Sequence, residues 1–164
     1  MTDQMKVVPG PEPVKTGVRD VKSLAKGLTE ALADTYRMVF KTHAYHWNVE
    51  GPLFYSIHHL TDEQYVNMFA AADDLAERIR ALGQLAPSRL SDILTASIVK
   101  DTDKLPSTQA MVEDLANDHE RIANRMHKLI ELDETQKDPV TVDLITTRSA
   151  FHEKAAWMLR ATGK

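Results

Sequence analysis

The sequence contains no cysteine, and this absence excludes several classes of protein. Without thiols the chain cannot form a disulfide framework, a cysteine nucleophile, or a zinc or iron–sulfur site with cysteine ligands. A metal bound by this chain must therefore be held by His, Asp and Glu side chains. The 164 residues include seven histidines, so imidazole ligands are available in number.

Long hydrophobic runs are also absent. No segment approaches the ~18 consecutive apolar residues that a membrane-spanning helix requires. The first residues lack the apolar block of a signal peptide, so we expect a cytoplasmic protein with no membrane part. The formal net charge is −4, and a molecule of that charge does not as a whole attract nucleic acid.

The apolar residues are spaced for helices rather than strands. Residues 1–16 hold three prolines and a glycine within five positions, which predicts a flexible tail. From Val18 onward, apolar residues recur at steps of three and four, which is the helical spacing. The pattern predicts an all-α domain over residues 17–164, with Tyr65 filling a gap in the apolar line of the second helix.

Four long helices are expected, and their boundaries carry sequence signals. The predicted starts are Val18, Leu53, Ser107 or Thr108, and the N-cap Asp138 ahead of Pro139. A connection of about 25 residues separates the second and third helices and holds a short helical segment within residues 88–98. A four-helix bundle with one long crossover has the ferritin-like topology, which is the fold that we predict.

A line of possible metal ligands runs along the second helix, beside its core stripe. His58 and Asp62 are four residues apart, as are Asp73 and Glu77, so each pair shares a helix face. His46 lies at the end of the first helix. Imidazole and carboxylate together suit iron or another first-row divalent metal. The alternative is that these residues are ordinary charges on a solvated face.

The distance between the two pairs limits how they can act. Asp62 and Asp73 are eleven residues apart, which is about 16 Å along a helix. Metal–ligand bonds are only ~2 Å long, so one metal cannot contact both pairs of the same chain. Either the chain has two poor half-sites, or a two-fold partner supplies the second pair and each dimer has two sites. Val66 and Phe69, between the pairs, would then form the apolar centre of the interface.

The segment Thr-His-Ala-Tyr-His-Trp-Asn-Val-Glu-Gly-Pro-Leu-Phe at residues 42–54 is a specific motif. It is followed by His58, by Asp62 and by Asp-Asp-Leu-Ala-Glu-Arg at residues 73–78. Together these resemble the Dps family, the mini-ferritins known as DNA-binding proteins from starved cells. The resemblance extends over about residues 21–161.

This resemblance implies a role for each motif residue. One subunit would supply His46, His58 and Asp62, and its two-fold mate would supply Asp73 and Glu77. These five side chains would form a di-iron ferroxidase centre, in agreement with the distance argument.

The resemblance also implies an assembly and an activity. Trp47 would pack beside the iron centre as an electron source or sink. The protein would be a hollow dodecamer that oxidises Fe(II), preferably with hydrogen peroxide, and stores ferric mineral inside. That reaction would protect the cell and its DNA from oxidative damage.

The remaining histidines have different interpretations. His43 either assists a second iron or its entry, or supports the ligands from behind. His59 points away from His58 and is expected to face solvent or another subunit. His119 falls on an apolar stripe and is expected to be a hydrogen-bonded core residue, whereas His127 and His152 are expected at the surface or an interface.

Acidic residues and the N-terminal tail bear on iron entry and on DNA contact. Family members have acidic three-fold pores near the start of the last helix, and the candidates here are Asp138, Asp143, Glu131 and Asp133. A solvated acidic surface explains these residues nearly as well. The tail has only two lysines before residue 19, offset by acids, so few phosphate contacts support DNA binding or nucleoid association.

Two other classes of protein are alternatives. Other di-iron carboxylate proteins carry Glu-x-x-His inside the bundle, and no histidine here has a glutamate three residues before it. The other alternative is a non-catalytic helical module that binds DNA or a partner protein, with the histidines and carboxylates as interface groups.

Overall fold

The computed structural model describes residues 6–163, apart from the side chains of residues 133–136. Across residues 6–163 the chain is helical, without strands. The helices are α1 (Val21–Asn48), α2 (Phe54–Ala81), α3 (Leu90–Ala96), α4 (Thr108–Gln136) and α5 (Pro139–Thr162). The predicted all-α bundle with a short helix in its long connection is confirmed. No helix in the described part of the chain has the length and apolar character needed to cross a membrane.

The helix ends follow local capping chemistry. Helix α1 begins three residues later than predicted, because Asp20 adopts a left-handed conformation and caps the helix through the backbone N–H of Ser23. Between α1 and α2, Gly51 has φ +98°, which permits the tight reversal there. At α5, the Asp138 carboxylate accepts two backbone N–H groups and Pro139 occupies the first turn, as predicted.

The core lies between two antiparallel helix pairs, α1 with α2 and α4 with α5. Each long helix contributes at least one large side chain with no exposed surface: Leu28, Met68, Leu115 and Ile145. Burying such a side chain contributes roughly 1.5–3 kcal/mol, so the four apolar stripes hold the bundle together.

Buried charges fasten the long connection to the bundle. Asp34 on α1 is fully buried, and its carboxylate accepts the backbone N–H of Ile98 at 2.7 Å and Arg125 at 3.1 Å. Arg125 also donates to the carbonyl of Ala96 at 3.1 Å. Burial raises the pKa of Asp34 although these donors oppose the shift. The crossover therefore docks in one position on α1 and α4.

A second buried ion network joins α1 to α4. The Lys41 ammonium contacts Asp114 and Asp118 at 2.6 Å each and donates to the carbonyl of Lys100 at 2.9 Å. Tyr45 donates its hydroxyl proton to Asp114 at 2.7 Å. Burial and the hydrogen bond to Asp114 raise the pKa of Tyr45, which keeps the phenol protonated.

The N-terminal segment before α1 contacts the end of α2. The backbone N–H of Val14 donates to the carbonyl of Ala81 at 3.0 Å. Gly83 has φ +81°, and a Cβ at that position would lie 2.6 Å from Pro13. The segment thus passes over the end of α2. The flexibility expected for residues 1–16 stays a prediction, and residues 1–5 lie outside the described residues.

Candidate metal centre

The reversal after α1 places the last turn of α1 against the first turn of α2. There the rings of His46 and His58 stack with centroids 3.7 Å apart and an interplanar angle of 19°. His46 Nδ1 lies 2.8 Å from the carbonyl of His58, and His58 Nδ1 lies 3.0 Å from the carbonyl of His46. A carbonyl only accepts hydrogen bonds, so each Nδ1 must carry the proton. In the neutral ring this tautomer leaves the lone pair on Nε2, which is the form of histidine that binds a metal.

Asp62 is one turn beyond His58 and is held by a neighbouring phenol. Tyr65 donates its hydroxyl proton to Asp62 Oδ1 at 2.6 Å. This hydrogen bond raises the pKa of Tyr65, and so does the negative charge of the carboxylate. The sequence pattern had placed Tyr65 in the apolar core. Its spacing of three residues from Asp62 was the available signal for this contact.

His43 connects two aromatic side chains beside the histidine pair. Its ring stacks on Tyr65 at 4.1 Å and contacts the Trp47 ring at 4.0 Å. Trp47 is 57% exposed, at the edge of the group. The structure therefore brings Trp47 close to the predicted ligands through His43, and it shows His43 as a packing neighbour of Tyr65.

Asp73 and Glu77 lie apart from these ligands, farther along α2. Both side chains are exposed, and within the described chain neither has a hydrogen-bond or ion-pair partner. No three His, Asp or Glu side chains of the described residues converge as a metal-binding group. The predicted ligands thus form two separate groups in one chain.

An apolar surface separates the two groups of ligands. Val66 is 57% exposed and Phe69 is 60% exposed, and Tyr36 of α1 packs beside Phe69 with ring centroids 6.4 Å apart. A surface cavity of about 810 Å³ extends from Phe69 to Asp73. An exposed apolar patch bordered by polar groups is typical of a protein interface.

The positions of the other histidines confirm three predictions and correct one. His59 is exposed, and exposed His127 lies 2.8 Å from Glu153. His119 is fully buried in the core, as predicted. His152 was expected at the surface or an interface, and this is wrong: it is fully buried, with Nδ1 2.8 Å from Nδ1 of His119.

The structure also corrects one pore candidate. The Asp138 carboxylate is buried and accepts hydrogen bonds from Arg78 at 2.5 Å and from the Thr141 hydroxyl at 2.6 Å. Burial raises the pKa of Asp138, but these hydrogen bonds outweigh it and leave the pKa lowered. This group caps α5 and is not available to line a channel. Asp143 and Glu131 are exposed, and the Asp133 side chain lies outside the described residues.

The bundle topology, the long crossover, and the histidine and carboxylate groups at one helix pair define a ferritin-like protein. A family described as the ferritin-like domain matches residues 25–163. DNA protection during starvation protein 2 of Bacillus anthracis is 31% identical over 140 residues, which is 85% of this chain and 96% of that protein.

Solved structures narrow the classification from ferritin-like proteins to one family. The crystal structure of Dps from Staphylococcus aureus matches with a TM-score of 0.84 and 31% identity, over 87% of this chain and 96% of that one. Dps from Vibrio cholerae, described as a member of the ferritin-like diiron-carboxylate superfamily, matches with a TM-score of 0.81 and 27% identity, over 86% of this chain and 89% of that one. The chain belongs to the Dps family.

Proposed function

We propose that this protein is a ferroxidase that stores iron, with its active sites between subunits. Two chains form a two-fold dimer, and each of its two sites combines residues of both. One chain supplies His46, His58 and Asp62, and the other supplies Asp73 and Glu77. Six such dimers form a hollow dodecamer that holds the ferric mineral and works in the cytoplasm.

One observation carries this proposal. The two Nε2 lone pairs beside Asp62, and the unpaired Asp73 and Glu77, are separated by exposed Val66 and Phe69 on one helix. Each group alone has too few ligands for a metal pair. An isologous contact across the apolar patch joins each group to the opposite group of the second chain. The same contact buries side chains that a monomer exposes.

The ligand set suits Fe(II) as a substrate. Three carboxylates and two neutral imidazoles give a complete site about three negative charges, which attract divalent cations. Five ligands leave open coordination positions for an oxidant. Two Fe(II) ions each lose one electron, and one hydrogen peroxide takes both electrons and two protons to become two waters. The pairing of electrons avoids the one-electron route to hydroxyl radical, which is how the protein protects DNA.

Neighbouring side chains orient the ligands and extend the site. The reciprocal hydrogen bonds of His46 and His58 fix both rings before metal binds, and Tyr65 fixes one oxygen of Asp62. Trp47 reaches this group through His43 and is proposed as an electron source when only one iron is present.

The chain offers little for direct DNA binding. Its net charge is −4, and the N-terminal segment has only Lys6 and Lys15 before Arg19. Twelve copies add weak contacts by avidity, but the few phosphate contacts make binding strongly dependent on salt. We therefore propose protection by removal of iron and peroxide, and expect any DNA binding to be lost at moderate salt.

The test is anaerobic oxidation of Fe(II) by added peroxide, followed by ferric absorbance. The double variant His46→Ala with Asp73→Ala should lose the fast reaction. The control is His59→Ala with Glu63→Ala, since both residues are exposed on α2 and outside the site. Equal rates for the double variant and the wild type would refute the proposed site. Size measurement of the wild type tests the cage.

A further inference from the structure

The interior of the bundle contains polar side-chain atoms that have no hydrogen-bond partner in the protein. Among the side chains that the structure describes, seven buried N and O atoms have no hydrogen-bond partner. They belong to five residues, which we call the central polar layer: Thr42, Gln64, His119, Arg148 and His152. Each is at least nine-tenths buried, and together they come from all four long helices.

Contacts between α2 and α5 place Gln64 and His152 at one level of the bundle, with Arg148 one turn away. Arg148 Nη1 donates to Asn67 Oδ1 at 2.9 Å. The two helices are antiparallel, as this contact and the one nearer the start of α5 show. Gln64 lies one turn before Asn67, and His152 lies one turn after Arg148. One turn along each antiparallel helix leads to the same level, so Gln64 faces the region of His152.

Contacts of α4 place the other two residues at that level. Lys41 of α1 contacts Asp118 of α4 at 2.6 Å, and the next residues along the two helices are Thr42 and His119. His119 Nδ1 in turn lies 2.8 Å from His152 Nδ1. The register of the four helices therefore brings the five residues to within about one turn of the same level of the bundle.

These atoms need partners for energetic reasons. A buried polar group left without a hydrogen bond loses its hydration and gains nothing in return. That loss usually exceeds what one hydrogen bond contributes, and proteins are stable by a small margin. We therefore expect these seven atoms to form hydrogen bonds with a bound molecule or ion.

The histidine pair argues against a metal ion as the bound species. At 2.8 Å one Nδ1 must donate its proton and the other must accept it, so only one of the two Nε2 atoms keeps a lone pair. A metal held by both Nε2 atoms would require two protonated Nδ1 atoms facing each other. The charge of the buried Arg148 guanidinium also repels a cation.

The layer presents acceptors as well as donors, which argues against an anion. Gln64 Oε1 and one histidine Nε2 can only accept a hydrogen bond. Burial and the nearby Arg148 lower the pKa of His119 to about 3, so its imidazole is neutral near pH 7. A molecule that both donates and accepts matches this set, and water is the smallest one.

We propose that the central polar layer binds ordered water, about two or three molecules, which bridge the imidazoles, the Gln64 amide and the Arg148 guanidinium. This internal hydration site is separate from the iron ligands and does not depend on iron chemistry. Water there links the α1–α2 pair to the α4–α5 pair through hydrogen bonds.

Crystallography of the full-length assembled protein at atomic resolution tests the occupant. Separate crystals are soaked in bromide and in Co(II), and anomalous scattering locates each ion. We expect density within hydrogen-bond distance of the histidine Nε2 atoms and the Gln64 amide, without an anomalous signal. A bromide or cobalt peak in the layer would overturn the proposal. So would an empty layer in which the five side chains pair with one another.

A stability measurement supplies a second test, in which the direction of the change in urea midpoint distinguishes a hydrated layer from a dry one. Gln64→Met keeps a similar side-chain length and removes both amide atoms. If water satisfies the layer, this variant deprives the water of partners and lowers the urea midpoint. If the layer is dry, it removes two unsatisfied atoms and raises the midpoint. The control is Gln109→Met on exposed α4 surface. A Gln64→Met midpoint equal to or above that control would contradict bound water.

Discussion

Mixing two inactive variants tests whether each iron site needs two chains. One variant carries His46→Ala with His58→Ala, and the other carries Asp73→Ala with Glu77→Ala. Each variant alone lacks part of every site and should show no fast peroxide-dependent oxidation of Fe(II). A dimer with one chain of each kind has one site with all five ligands intact, because the first variant keeps its carboxylates and the second keeps its histidines.

The size of the recovery follows from the two-fold symmetry. Random pairing of equal amounts gives half mixed dimers, and each mixed dimer has one intact site of two. About a quarter of the wild-type activity per chain should return. A mixture in which mass spectrometry confirms mixed cages, but which stays inactive, would refute the shared site. Activity in either variant alone would refute the ligand assignment.

Further predictions concern the pH dependence of stability, a neighbour of the site and a helix cap. Burial lowers the pKa of His119 to about 3, against ~6.5 in an unfolded chain, so below pH 6.5 the unfolded chain binds the proton first. The free energy of unfolding should therefore decrease as the pH is lowered, by ~2 kcal/mol at pH 5 from this group. In urea unfolding, His119→Gln should lose less stability between pH 7 and pH 5 than the exposed control His127→Gln. Equal losses would contradict the assignment. Tyr65→Phe removes the hydroxyl that holds Asp62 and should weaken Co(II) binding by ~10–100-fold in calorimetry, whereas exposed Tyr55→Phe should bind as the wild type does. Asp138→Ala loses both the cap of α5 and the buried pair with Arg78, so thermal unfolding should show a loss of ~2–4 kcal/mol, and the exposed Asp143→Ala should lose little.

Local signals in the sequence were sufficient to predict the helices and to identify the pairs of candidate ligands. The steps of three and four between apolar residues fixed the faces, and Asp138 with Pro139 marked the start of α5. The same spacing showed that one chain cannot bring Asp62 and Asp73 to one metal. The four-residue separation of each pair is a property of a single helix, so no tertiary contact was needed to identify it.

Contacts between different helices could not be predicted from the spacing of residues along one helix. His152 was misplaced because its burial depends on which face of α5 meets His119 of α4, and that register is set by packing across the core. Asp138 was a pore candidate until the structure showed Arg78 of α2 beside it. In both cases the partner is far away in the sequence.

The sequence by itself determined the helical bundle, the kinds of candidate ligand, and the fact that one chain cannot bring Asp62 and Asp73 to one metal, because all three depend on composition and spacing along single helices. Only the tertiary structure decided the tautomer of the His46 and His58 rings, the hydrogen bond from Tyr65 to Asp62, and the buried polar layer. Hydrogen bonds depend on distances of about 3 Å between atoms of different turns and helices. Such distances exist only once the chain has packed.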